Sequence, residues 1–110
     1  MKQYTTPDQT AKLIELGFEQ PKSIEVYRDG HCVPFVEQQW AYSIGELIEM
    51  LPENVAKENE MPSTLNISLM NGEWCVQYAD FLGTDFEFCN REIIDALYDM
   101  ILRLKEKGVI

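Results

Sequence analysis

Leu65-Asn66-Ile67-Ser68-Leu69-Met70-Asn71-Gly72-Glu73-Trp74-Cys75-Val76-Gln77-Tyr78 is the stretch on which the fold turns. Apolar and polar residues alternate on both sides of Asn71-Gly72, the period of a half-buried strand. Asn-Gly is a favoured pair for a two-residue type I′ turn, and so short a loop sets the register. It predicts Leu69 opposite Trp74, Ile67 opposite Val76 and Leu65 opposite Tyr78, so that six apolar side chains share one face. A third strand is predicted over about Asp85–Cys89, with Phe86 and Phe88 turned one way and Asp85 and Glu87 the other. The sheet is therefore antiparallel, with one covered face and one wet face.

Downstream lies the segment that can cover it. Ile93, Ile94, Leu97, Met100, Ile101 and Leu104 recur at helical spacing, an apolar stripe on a long C-terminal helix that Asn90 can cap. Arg103, Lys105 and Lys107 near its end suit the helix dipole, and Gly108-Val109 supplies a stop. Burying those six side chains contributes on the order of 10 kcal/mol before entropy.

Upstream, Tyr42-Ser43-Ile44-Gly45-Glu46-Leu47 opens another helix. Ser43 and Glu46 make a capping box, Tyr42 and Leu47 a hydrophobic staple, and Pro52 ends the run. The polar stretch from Pro52 to Pro62 reads as a loop with room for one helical turn. Before it, Ser23–Arg28 and His31–Glu37 flank Asp29-Gly30, a hairpin that would set Val26 against Val33 and Ile24 against Phe35. Pro34 fits that register only on an edge or at a bulge. The first helix runs from Thr6 as N-cap, through Pro7 and the capping-box partner Gln9, to Gly17 and Phe18 in a Schellman stop. The predicted order is α-β-β-α-β-β-β-α: a two-layer α+β domain, with two hairpins and one strand forming an antiparallel sheet packed on helices.

The 110 residues make a single domain, 1–110, and 45% hydrophobic residues are too many for a disordered chain. No apolar run is long enough to span a membrane, and the first eight residues lack the apolar core of a secretory signal. Three cysteines, Cys32, Cys75 and Cys89, cannot all pair, which predicts free thiols and a cytoplasmic location. A zinc site of these three with His31 fits poorly, because no two cysteines form the usual short knuckle. His31 reads as a surface turn residue, nucleotide-binding and catalytic motifs are absent, and no cofactor or metal is expected.

Charge is unevenly placed. From Asp29 to Asn90 there are eleven acids and one base, Lys57, so the whole net charge of −10 falls in this middle segment. Such a surface repels phosphates and anionic membranes, so neither nucleic acid nor membrane is an expected partner. The opening Tyr42–Leu47 resembles the first helix of the winged-helix domain of MerR-type regulators. Pro52, Glu49 and Glu53 then stand where a turn and a basic recognition helix would be needed, so capping chemistry accounts for the shared letters.

Three segments together resemble small uncharacterised proteins of phages, prophages and mobile elements of gut bacteria: Thr10–Phe18, Tyr42–Pro52, and Glu92–Met100 with the Lys-Gly-Val-Ile ending. The resemblance implies an accessory protein and assigns no catalytic residue. Beside it, the residues point to a non-catalytic binding protein that meets a basic protein partner through Glu73, Gln77, Asp80, Asp85 and Glu87 on or beside the polar sheet face. Trp40, Tyr42, Phe81 and Leu82 are candidate anchors or rim residues of the core. Two alternatives remain: a metal-assisted hydrolase using Asp80, Asp85 and Glu87 if these converge, and a homo-oligomer pairing through a sheet edge.

Overall fold

The start and stop signals written in the sequence define the helices of the computed structural model, which describes residues 3–27, 37–57, 60–80 and 83–110. In chain order the elements are α1 (Pro7–Glu15), β1 (Ser23–Tyr27), β2 (Glu37–Ala41), α2 (Ile44–Met50), β3 (Asn54–Lys57), β4 (Glu60–Met70), β5 (Glu73–Asp80), β6 (Gly83–Asn90) and α3 (Ile93–Glu106). Both capping boxes are complete: Thr6 with Gln9 on α1, and Ser43 with Glu46 on α2. After α1 the Gly17 amide donates to Ile14 and the Phe18 amide to Leu13, with Gly17 at φ 98°, the left-handed turn that a side chain would disfavour. Val109 closes α3 in the same way on the Leu104 carbonyl. At the front of α3, Asn90 belongs to β6 instead of capping. Its side chain accepts from the Glu92 amide at 2.9 Å, and Glu92 occupies the N-cap position without a side-chain cap of its own.

Two sheets form, both antiparallel: β1-β2, and β3-β4-β5-β6 in that order. The β4–β5 hairpin has the predicted register, Leu69 opposite Trp74, Ile67 opposite Val76 and Leu65 opposite Tyr78. Asn71 and Gly72, at φ 52° and 79°, make its turn with positive φ at both central positions, as type I′ requires. Val76 and Tyr78 are fully buried, and Leu65, Ile67 and Trp74 are packed against the core. Leu69, at the turn end, stays 57% exposed.

α3 lies on β5 and β6 and also meets α2. All six residues of its predicted stripe are buried. They form one cluster with Leu13, Tyr42, Leu47, Leu51 and Val55. The Cα extents are 58 × 34 × 17 Å, and the shortest accommodates two layers.

Three further local expectations are corrected. First, the Pro52–Pro62 stretch is not only a loop: it contains β3, which pairs with β4 through Asn54↔Thr64 and Val55↔Ser63. The register slips between Val55 and Lys57, beside Pro62, which has no amide to give the ladder. Val55 is buried, and the Tyr78 hydroxyl donates to the Pro52 carbonyl at 2.7 Å, so a core tyrosine holds the connection that leads into β3.

Second, β1 and β2 pair further along β2 than the Asp29-Gly30 turn predicts, with Ile24 opposite Trp40 and Val26 opposite Gln38. The end of β2 is fixed from elsewhere. The Thr5 amide donates to the Tyr42 carbonyl at 2.9 Å, the Tyr42 amide to Thr5 Oγ1 at 3.0 Å, and the Tyr42 hydroxyl to the Glu19 carbonyl. β1 begins two residues after the buried Pro21 and pairs with the strand held there. Residues 28–36, with the Asp29-Gly30 turn, His31, Cys32 and Pro34, lie outside the described residues. Third, Cys75 and Cys89 are joined in a disulfide, so the expectation of free thiols fails at these two.

Candidate functional site

Side chains alternate across a strand, so burying Val76 and Tyr78 under α3 turns Cys75, Gln77 and Ala79 to the other face. The registers then set out rows across that face: Asn54, Thr64, Ala79 and Thr84; Asn66, Gln77 and Glu87; Ser68, Cys75 and Cys89; Met70 and Glu73. Thr64, Asn66, Glu73, Thr84, Glu87 and Cys89 are all exposed. The face carries amides, hydroxyls, two carboxylates and a disulfide. From Glu60 to Asn90 the sequence has no lysine, arginine or histidine, so nothing on β4, β5 or β6 offsets the acids.

The predicted contact residues divide between places. Glu73, Gln77 and Glu87 belong to the open face, Glu73 next to the hairpin turn and Gln77 paired with Glu87 at the centre. Asp80 lies at the far end of β5, where its carboxylate accepts from the Gly83 amide at 3.2 Å. Asp85 is displaced by a bulge. The β5–β6 register runs Tyr78↔Phe86 and then Ala79↔Thr84, which leaves Asp85 as the extra residue, and its carboxylate accepts from the hydroxyl of the fully buried Ser63 on β4. Asp80, Asp85 and Glu87 therefore do not meet at one point. Among the described residues the group with three donor atoms within 4.8 Å of one another is Cys75, Glu87 and Cys89.

The bulge also explains how the two cysteines come to face each other. From Asp80↔Gly83 an unbroken ladder would bring Phe88 opposite Cys75 and turn Phe86 and Phe88 away from α3. One extra residue at Asp85 moves the register by one, so Phe86 and Phe88 face the core and Cys89 falls opposite Cys75. Alternation alone shows that Cys89 shares a face with Glu87. It does not show the opposition, which is why the disulfide was missed.

Two hollows flank the sheet, and the first of them reaches Asp85 and Glu87 on β6. One runs between edge strand β6 and α3, lined by Phe86, Phe88, Asp99, Leu102 and Arg103. Burial, and secondarily the charge of Asp95, raises the Asp99 carboxyl above its ordinary range. The other lies between Phe18, Tyr42, Glu46, Glu49 and Met50. Of the candidate anchors, Trp40 is 60% exposed and Tyr42 is buried in the core. Phe81 and Leu82 lie outside the described residues.

No protein family, curated protein or solved structure was found to match the chain. Among the described residues, no helix is long and apolar enough to cross a membrane.

Proposed function

We propose that the protein is a small non-catalytic binding protein that engages a basic protein partner through the open face of β4, β5 and β6. The observation that carries this reading is that face itself. Its side chains are mostly polar, Glu73 and Glu87 stand exposed on it, and the segment contains no base, while Asp80 and Asp85 turn to the side of the sheet on which Ser63 is buried. A partner bearing lysine or arginine would be drawn in by long-range attraction and held in register by the amide and hydroxyl rows. The proposal includes an accessory role of the kind carried by phages, prophages and mobile elements of gut bacteria, and a cytoplasmic setting in which the Cys75–Cys89 bond would be open to reduction. The dispersal of Asp80, Asp85 and Glu87 weighs against metal-assisted hydrolysis by those three.

The test is affinity capture from bacterial lysate at low and high ionic strength, using the natural chain and a Glu73→Lys, Glu87→Lys variant side by side. A partner retained by the natural chain at low salt, released at high salt and not retained by the variant supports the reading. Equal retention of that partner by the variant, or indifference to salt, overturns it.

A further inference from the structure

We propose that reduction of the Cys75–Cys89 bond creates a site for one thiophilic divalent cation of the zinc class, held by the two Sγ atoms and the Glu87 carboxylate. Three observations carry this. The cysteines are direct partners across β5 and β6, so the sheet keeps their sulfurs together after the bond between them is broken. Glu87 lies two residues before Cys89 on the same strand and so projects from the same face, with Oε1 3.4 Å from Cys89 Sγ. All three donor atoms lie within 4.8 Å of one another. Tetrahedral zinc sites place sulfur at about 2.3 Å and carboxylate oxygen at about 2.0–2.2 Å, which sets neighbouring donors roughly 3.4–3.8 Å apart. The Glu87–Cys89 separation already matches that spacing. The two sulfurs reach it by small side-chain rotations once the bond is gone.

The chemistry of the donors suits the ion. Two thiolates select a soft or borderline cation over magnesium or calcium, and the carboxylate completes three protein ligands, leaving the fourth position to water or to a ligand from solution. Cys89 and Glu87 are exposed, so the ion has a path in. No lysine or arginine on β4, β5 or β6 competes for the site.

Disulfide and metal exclude each other. A dithiol reductant breaks the S–S bond, passing two electrons and two protons to the cysteine sulfurs and becoming a disulfide itself. Metal binding then releases the protons still on the two thiols. The open face would thus carry either a disulfide or a metal ion neutralised by two thiolates, and the metal would be held in reducing surroundings.

The test uses the full-length chain with cobalt(II) as a spectroscopic probe. The protein is reduced with a trialkylphosphine, which leaves as its oxide with oxygen from water. It is then desalted without air and titrated with cobalt. The expected result is a thiolate-to-cobalt absorption band that saturates at one equivalent and is displaced by zinc, which binds more tightly. The band is absent from the oxidised protein and lost in Cys75→Ser and Cys89→Ser. It is retained in Cys32→Ser, and Glu87→Gln weakens binding about tenfold or more. Alanine replaces serine at any position where the serine variant lacks the far-ultraviolet circular dichroism of the reduced natural chain. No band from the reduced protein at millimolar cobalt, a band that survives Cys75→Ser, or one lost in Cys32→Ser overturns the proposal.

Discussion

Tyr78→Phe removes one hydroxyl from the centre of the structure and leaves the ring in place. The ring is fully buried beneath α3, and the hydroxyl donates to the Pro52 carbonyl at 2.7 Å, joining β5 to the connection between α2 and β3. The net value of such a bond is about 1 kcal/mol, and a half-buried carbonyl left without its donor adds up to about 1 kcal/mol more. The expected loss is roughly 1–2 kcal/mol, a shift of about 0.5–1 M in the urea midpoint for a slope near 2 kcal/mol/M. The same residue predicts a pH dependence. Burial raises the Tyr78 hydroxyl from 10.0 to about 12. A group whose pKa is higher in the folded state contributes its stability fully below the unfolded value and loses it as pH rises. The difference between the natural chain and Tyr78→Phe should therefore be constant from neutral pH to about 10, and shrink above it as the unfolded phenol ionises first. Urea titrations of both proteins from pH 7 to about 11 measure this directly. Identical midpoints at neutral pH, or a gap that widens in alkali, would refute the account of how this connection is held.

Leu97→Ala in α3 empties a fully buried position and should cost about 2–5 kcal/mol, lowering the melting temperature by roughly 10–20 °C in calorimetry. Thr6→Ala breaks a complete capping box, in which Thr6 Oγ1 accepts from the Gln9 amide at 3.2 Å and Gln9 Oε1 from the Thr6 amide at 3.0 Å. About 1 kcal/mol of stability should go in denaturant titration. Asp99→Asn should raise stability at neutral pH by about 0.3–0.5 kcal/mol, since Asp99 stands one helical turn from Asp95. Its carboxyl is raised by burial first and Asp95 second, so the natural residue does best when protonated, and the gain of the variant should vanish below the ordinary value of 3.8.

What was legible in the sequence was local chemistry. Thr6 with Gln9, Ser43 with Glu46, and Gly17 and Gly108 announce helix ends because the groups that satisfy one another are at most five residues apart. Asn71-Gly72 sets the β4–β5 register because a two-residue turn permits one pairing, and that pairing puts Leu65, Ile67, Leu69, Trp74, Val76 and Tyr78 on one face. The candidate site was legible in part: Glu73, Gln77 and Glu87 emerge on the open face because they alternate with residues that α3 buries, whereas Asp80 and the bulged Asp85 turn to the other side.

Tertiary structure decided the rest, where the determining contact was distant in the chain or the local signal was weak. Tyr42, tied to Thr5 and Glu19, fixes where β2 lies, so β1 pairs by what is anchored at the base of the ribbon and not by the Asp29-Gly30 pair. Asn54–Lys57 has little strand character of its own. It becomes a strand where β4 offers backbone partners and Val55 reaches the core. The opposition of Cys75 and Cys89 depends on one extra residue in β6, Asp85, whose carboxylate finds Ser63 across the sheet. A period of two cannot reveal a bulge, since the pattern on each strand is the same with it or without it; only the demand that Phe86 and Phe88 face α3 places the extra residue.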